Sequence, residues 1–145
     1  MPPRLLAALA ALFLTSCATP QPCPVSGIAG LECHAGRGDK WAQLRLGMAY
    51  ELGAGVPQDY ARAARLYRAA ATSTSGTTYV YSPPVGKSPG RVISFRTGAD
   101  KAGLPEAKYR LARLYLHGLG VERDAEEARE LMAEAAEAGF RPRVR

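Results

Sequence analysis

Ala42-Gln43-Leu44-Arg45-Leu46-Gly47-Met48-Ala49-Tyr50-Glu51-Leu52-Gly53-Ala54-Gly55-Val56 has a second version downstream. That version reads Ala107-Lys108-Tyr109-Arg110-Leu111-Ala112-Arg113-Leu114-Tyr115-Leu116-His117-Gly118-Leu119-Gly120-Val121. The two stretches stand 65 residues apart at every position. The register persists through Asp59 and Asp124, Ala63 and Ala128, Leu66 and Leu131, and the closing pairs Ala70-Ala71 and Ala135-Ala136. Self-similarity at a fixed offset is the mark of a stacked repeat architecture.

Each copy has the pattern of two helices joined by a tight turn. Ala42, Leu46, Ala49 and Tyr50 recur at helical spacing on one face, and Trp41, Leu44, Met48 and Leu52 cover the adjoining face. A helix apolar around so much of its girth is expected to be sandwiched between neighbours. Asp39 is placed to cap this helix, and Pro105 fits the first turn of its counterpart. Gly53 and Gly118 suit the left-handed position that ends a helix, and Asp59 and Asp124 cap the helices that follow. Gly139-Phe140, with Pro142 beyond, predicts a stop after the last helix.

These residues resemble the Sel1-like repeat, a relative of the tetratricopeptide repeat. The family pattern is an Ala, a Leu-Gly, a Tyr, a Gly-x-Gly-Val, an Asp and a closing Ala-Ala. The chain matches it in both copies, with Ala112 in place of glycine in the second. The resemblance implies an all-α fold: a short α-solenoid of two helix-turn-helix repeats over residues 39–139. It also implies a scaffold that binds a protein or peptide partner, since such repeats specify fold more than function.

A Sel1-like unit is normally about 36 residues, so the offset leaves roughly 29 extra. They fall between Thr72 and Gly98. Two β-rich runs, Thr77–Ser82 and Arg91–Arg96, flank Pro83-Pro84-Val85-Gly86-Lys87-Ser88-Pro89-Gly90, which predicts an inserted β-hairpin. Two strands alone are marginal in water, so one face is expected to pack on the helices. Tyr79, Tyr81, Lys87 and Arg91 are the candidate partner-binding residues. The alternative is a hairpin that covers an end of a two-repeat array; the two roles are compatible.

The N-terminus has its own pattern. Arg4 precedes ten apolar residues, Leu5 to Leu14, too short to span a bilayer but fitting the apolar part of a signal peptide. Leu14-Thr15-Ser16-Cys17 follows and resembles the bacterial lipobox. That resemblance implies a signal peptide over residues 1–16, a lipid on Cys17, and an anchor facing the periplasm. Ala18 after the cysteine is similar to the outer-membrane sorting pattern. An ordinary signal peptide and a buried N-terminal helix are the alternatives. Removing Cys17 from the three cysteines leaves Cys23 and Cys33, an even pair. The default in an oxidising compartment is a disulfide closing a Gly-containing loop within a tether, residues 17–38; free thiols and a metal site are the alternatives.

Composition bounds the function. The 145 residues carry 47% hydrophobic and 22% charged residues, ordinary for one globular domain, with 19 Lys+Arg against 13 Asp+Glu. Part of the basicity lies in the tail, residues 140–145, and part in the hairpin, so it does not call for a nucleic-acid partner. No Ser-x-x-Lys, Gly-x-Ser-x-Gly or zinc-ligand pattern occurs, which argues against an enzyme and against a cofactor or metal. Some cysteine-rich relatives are associated with penicillin binding, but they carry a disulfide in each repeat, and this chain has no cysteine after Cys33. A cell-wall ligand-binding protein and a structural envelope lipoprotein are the remaining alternatives to the scaffold. Charge is also patterned between copies. Arg62 and Arg65 have Glu127 and Glu130 as their counterparts, so these are expected either to face each other within the chain or to join copies into a homo-oligomer.

Overall fold

The computed structural model describes residues 22–142. Three aspartates start helices, as their positions require. Asp39 accepts from Ala42 N at 2.9 Å, Asp59 from Arg62 N at 2.9 Å, and Asp124 from Glu126 N and Glu127 N at 3.0 Å each. The elements are α1 (Gly27–Gly36), α2 (Lys40–Leu52), α3 (Tyr60–Ala71), β1 (Thr77–Ser82), β2 (Arg91–Arg96), α4 (Pro105–His117) and α5 (Ala125–Glu137). Gly53 and Gly118 end α2 and α4 in the left-handed conformation. Beyond α5, Gly139 N and Phe140 N donate to Ala136 O and Ala135 O, the paired bonds of a Schellman stop. Asp59 N to Tyr50 O and Asp124 N to Tyr115 O close the two helix pairs in the same way.

The helices stack in chain order, each packed on the next. One core runs from Ala35 in α1 through Leu44, Leu46, Ala63, Tyr67 and Ala70 to Leu111 and Leu114 in α4. Tyr67 and Leu114 are its largest fully buried side chains. Gly47 makes room for the Tyr67 ring: a methyl at Gly47 would lie 2.6 Å from Tyr67 Cε1. The second repeat has Ala112 and Met132 at the equivalent positions. The departure from the Leu-Gly pattern thus accompanies the loss of the ring that needed the glycine. Gly120 is required for a different reason. A methyl there would lie 2.3 Å from Ala61 N, so the turn of the second repeat rests directly on the start of α3.

Helix α1 corrects the expectation of a tether over residues 17–38. Gly30 serves close packing rather than a turn, since a methyl there would lie 2.7 Å from the Pro24 carbonyl oxygen. Cys23 and Cys33 are joined, with Cα atoms 5.5 Å apart, tying the segment before α1 to the helix itself. Relative to the first repeat, α1 stands where α3 stands relative to the second. The Gly55 turn lies against Ile28 as the Gly120 turn lies against Ala61. Tyr50 donates to Glu32 of α1, and its counterpart Tyr115 accepts from Arg68 of α3. The N-terminal end of the stack is therefore covered by a half-repeat.

The hairpin does not perform that covering, and the expectation that one of its faces packs on the helices is overturned. Its register pairs Tyr79 with Ser94, Val80 with Ile93 and Tyr81 with Val92. Trp41 and Leu52, expected inside, are mostly exposed because α2 meets neighbours on two sides only. Arg62 does not reach Glu127. Its guanidinium pairs with Asp59 at 3.2 Å and lies over the Tyr50 ring, donating to the phenol oxygen at 3.1 Å.

Gly47→Ala is expected to destabilise the chain by about 1–3 kcal/mol through overpacking. The loss should shrink when Tyr67→Met is added, because that pair reproduces the Ala112–Met132 solution of the second repeat. Urea denaturation of the two single variants and the double variant measures the coupling; additive losses would show that the ring is not what the glycine accommodates.

Candidate functional site

The hairpin is rooted by backbone pairing. Thr74 and Lys101 exchange hydrogen bonds at 2.8 and 2.9 Å. Asp100 accepts from Gly76 N at 2.8 Å, and Gly76 O accepts from Thr97 N and Gly98 N. Lys40 of α2 donates to Thr72 O, and Leu104 N donates to Ala70 O, so the neck is held by the ends of three helices.

Above the neck, the pleat divides the side chains. Tyr79, Tyr81 and Val92 share one face, and Val80, Ile93 and Phe95 share the other. Tyr79 is 70% exposed, Tyr81 63%, Val92 65% and Phe95 52%. Both faces of the hairpin thus carry apolar side chains that are mostly exposed, with Ile93 half-buried. The Tyr81 hydroxyl end lies against Gly90, where a methyl would stand 2.6 Å from its oxygen. Lys87 lies at the tip between Val85 and Ser88, whose backbones pair, and Arg91 starts β2 opposite Ser82. Ser82, Pro83, Val85, Ser88, Pro89 and Arg91 line an open hollow of about 420 Å³. Tyr79, Tyr81, Lys87 and Arg91 are thus on one exposed element, but Lys87 and Arg91 do not stand with the tyrosines in a single pocket. Cys17 lies outside the described residues.

A polar cluster between the repeats escaped the sequence reading. Glu51 of α2 accepts from Tyr67 Oη at 2.5 Å and from Arg110 of α4 at 3.2 Å, and Arg110 also meets Glu106 at 3.0 Å. Glu51 keeps only 12% of its side chain exposed. Burial, then the hydrogen bond to Glu51, pushes the Tyr67 phenol far above its ordinary range. Burial opposes the Arg110 charge, but the bonds to Glu106 and the Tyr67–Glu51 pair outweigh it and hold the guanidinium more firmly ionised. The one available signal was that Glu51 has Leu116 as its counterpart, an acid in only one copy. Beside this cluster, Tyr109, Arg110, Arg113, Phe140 and Arg141 line a groove of about 420 Å³, with the Tyr109 and Phe140 rings 5.3 Å apart. Among the described residues no group of three metal-ligating side chains forms, and no helix is long and apolar enough to cross a membrane.

The Sel1 repeat model matches residues 42–75 and 105–140. Both helix pairs are thus similar to the Sel1 repeat. A protective antigen present in uropathogenic Escherichia coli strains, with an SLR fold, is 30% identical, with a TM-score of 0.53 over 77% of this chain and 18% of that one. A Sel1 repeat protein from Oxalobacter formigenes is 23% identical, with a TM-score of 0.54 over 77% of this chain and 63% of that one, and shares the fold. The chain spans less than two thirds of either structure. No curated protein matches it. Sel1 repeats are typically non-catalytic and generally mediate protein–protein interaction.

Tyr67 also gives a pH dependence. The phenol stays protonated in the folded chain, whereas unfolded it ionises near its ordinary value of 10.0. The unfolded state therefore binds fewer protons above that pH, and stability falls as pH rises further, by about 1.4 kcal/mol per unit from this group. Denaturation between pH 9 and 12 should show that slope, and Tyr67→Phe should flatten it; an unchanged slope would place the titrating group elsewhere.

Proposed function

We propose that the chain is a non-catalytic binding module of the bacterial envelope, lipid-anchored at Cys17, that engages a protein or peptide partner through its hairpin. The observation that carries the binding role is the exposure of both hairpin faces. Apolar side chains left in water on a two-stranded ribbon give up the burial that would otherwise stabilise it, and a neck bonded to three helix ends holds that cost in place. A partner that adds backbone to an edge of β1 or β2, or closes over Tyr79, Tyr81 and Val92, would recover it. Lys87 and Arg91 at the tip favour an acidic rim on that partner.

Anchoring rests on sequence alone. The apolar run Leu5–Leu14 and Leu14-Thr15-Ser16-Cys17 have the order of a lipoprotein leader. Several acyl chains on one cysteine would make attachment effectively permanent. The outer membrane, on its periplasmic side, is the membrane that Ala18 favours. An oxidising compartment also suits the Cys23–Cys33 disulfide.

Two experiments test the two halves separately. A photo-crosslinker at position 87 in cells should capture a defined protein, and the capture should disappear when Tyr79 and Tyr81 are both changed to Ser. Capture that survives both changes would remove the hairpin face from the site. Metabolic labelling with an acyl analogue should mark the chain and not its Cys17→Ser variant; equal labelling of both would refute the anchor.

A further inference from the structure

Equivalent positions of the two repeats carry unlike charge. Leu46, Tyr50, Arg62, Arg65 and Leu66 line the cleft between α2 and α3. Leu111, Glu127 and Leu131, the counterparts of Leu46, Arg62 and Leu66, line a second cleft together with Glu134, Lys108 and the end of α3, including Arg68. The leucines recur, and Arg62 and Arg65 give way to Glu127 and Glu130. Helix α3 carries three arginines and no acid; α5 carries five glutamates and one arginine.

Neighbouring charges do not cancel the contrast. Lys108, which also lines the second cleft, is taken up by Glu134 at 2.6 Å, and Arg68 donates to Tyr115 at 2.6 Å. Arg62 shares Asp59. Arg65, Glu127 and Glu130 are exposed, and no ion pair within the described residues engages them. The reversal within the chain is therefore left without use.

We infer that the exposed faces of α3 and α5 form a self-complementary surface, through which two copies associate side by side and antiparallel about a twofold axis. Equivalent positions in successive repeats point the same way. A twofold axis between them lays α3 of one copy along α5 of the other and, by the same operation, α5 along α3. Every Arg65–Glu130 contact is then made twice, which is what an isologous interface requires. A partner of one charge sign would complement only one of the two helix faces; a second copy complements both. This inference is independent of the hairpin and of the lipid.

The same geometry explains why association by end-to-end stacking is not the alternative. In the first repeat the position facing α4 is Ala64, 1% exposed. Its counterpart in α5 is Arg129, which is exposed and bonded to Ala125 O and Glu126. A further repeat stacked in the same manner would have to bury that guanidinium.

The test uses the full chain carrying Cys17→Ser, followed by sedimentation. Self-association should weaken roughly tenfold or more as NaCl is raised from about 0.05 to about 0.5 M. Arg62→Glu with Arg65→Glu should abolish it, and so should Glu127→Arg with Glu130→Arg, with far-UV circular dichroism unchanged. Mixing the two double variants should restore a dimer, because each then presents the charge that the other has lost. A parent chain monomeric at every concentration reached, association that survives either reversal, or a mixture that stays monomeric would overturn the proposal.

Discussion

The Tyr67 ring is the constraint on which the stack depends. It is fully buried, seated on Gly47 of its own repeat, and its hydroxyl meets Glu51, which in turn meets Arg110 of the next. An array of two repeats has a single interface between whole repeats, with only the half-repeat α1 packed on the far side of the first. A ring there fills a large volume with few rotatable bonds, and its polar end would be costly to bury without an acceptor. Glu51 is that acceptor, and Arg110 offsets the carboxylate. One side chain thus fixes the spacing of α2 and α3 and the register of α4 against both.

The repeat unit was legible because its rules are local. A cap, a left-handed glycine and a helical run of small and apolar residues each act within a few positions, and Asp39, Asp59, Asp124, Gly53 and Gly118 all do what those rules require. The hairpin's existence was legible for the same reason, from its alternating strands and Pro/Gly turn. What was not legible depends on which elements meet. Gly27 and Gly30 in α1 are poor helix formers. The helix persists there because Gly30 lets the Pro24 carbonyl approach and the disulfide holds Cys33. Arg62 was matched to Glu127 by repeat position, but Asp59, three residues away, was closer, and Tyr50 added a ring face. Tyr79 and Tyr81 alternate along β1 and so share a face, yet nothing local told that this face would remain uncovered.

The half-repeat α1 changes what the hairpin is for. A two-repeat stack needs cover at its ends. With α1 over the first repeat and Arg129 and Glu126 making the outer side of α5 polar, both ends are served without the insert. The hairpin is then free of a packing role. A segment joined between α3 and α4 at a bonded neck exposes Tyr79, Tyr81, Val92 and Phe95 to water. That exposure is what supports the proposed binding role of the insert over the shallow groove beside Phe140.

The proposed lipid anchor and the proposed twofold contact would constrain each other. Cys17 and Cys23 are six positions apart, a span of about 20 Å at most at ~3.3–3.6 Å per residue. An anchor at Cys17 would therefore keep the α1 end of each copy close to the membrane. In an antiparallel pair the two α1 ends lie at opposite ends of the dimer. Standing upright, such a pair would lift one α1 end away from the membrane by the length of the stack; lying flat, with the twofold axis along the membrane normal, it would keep both at one height. Anchoring and pairing together would thus favour stacks that lie along the membrane surface, with their tethers at opposite ends of the dimer.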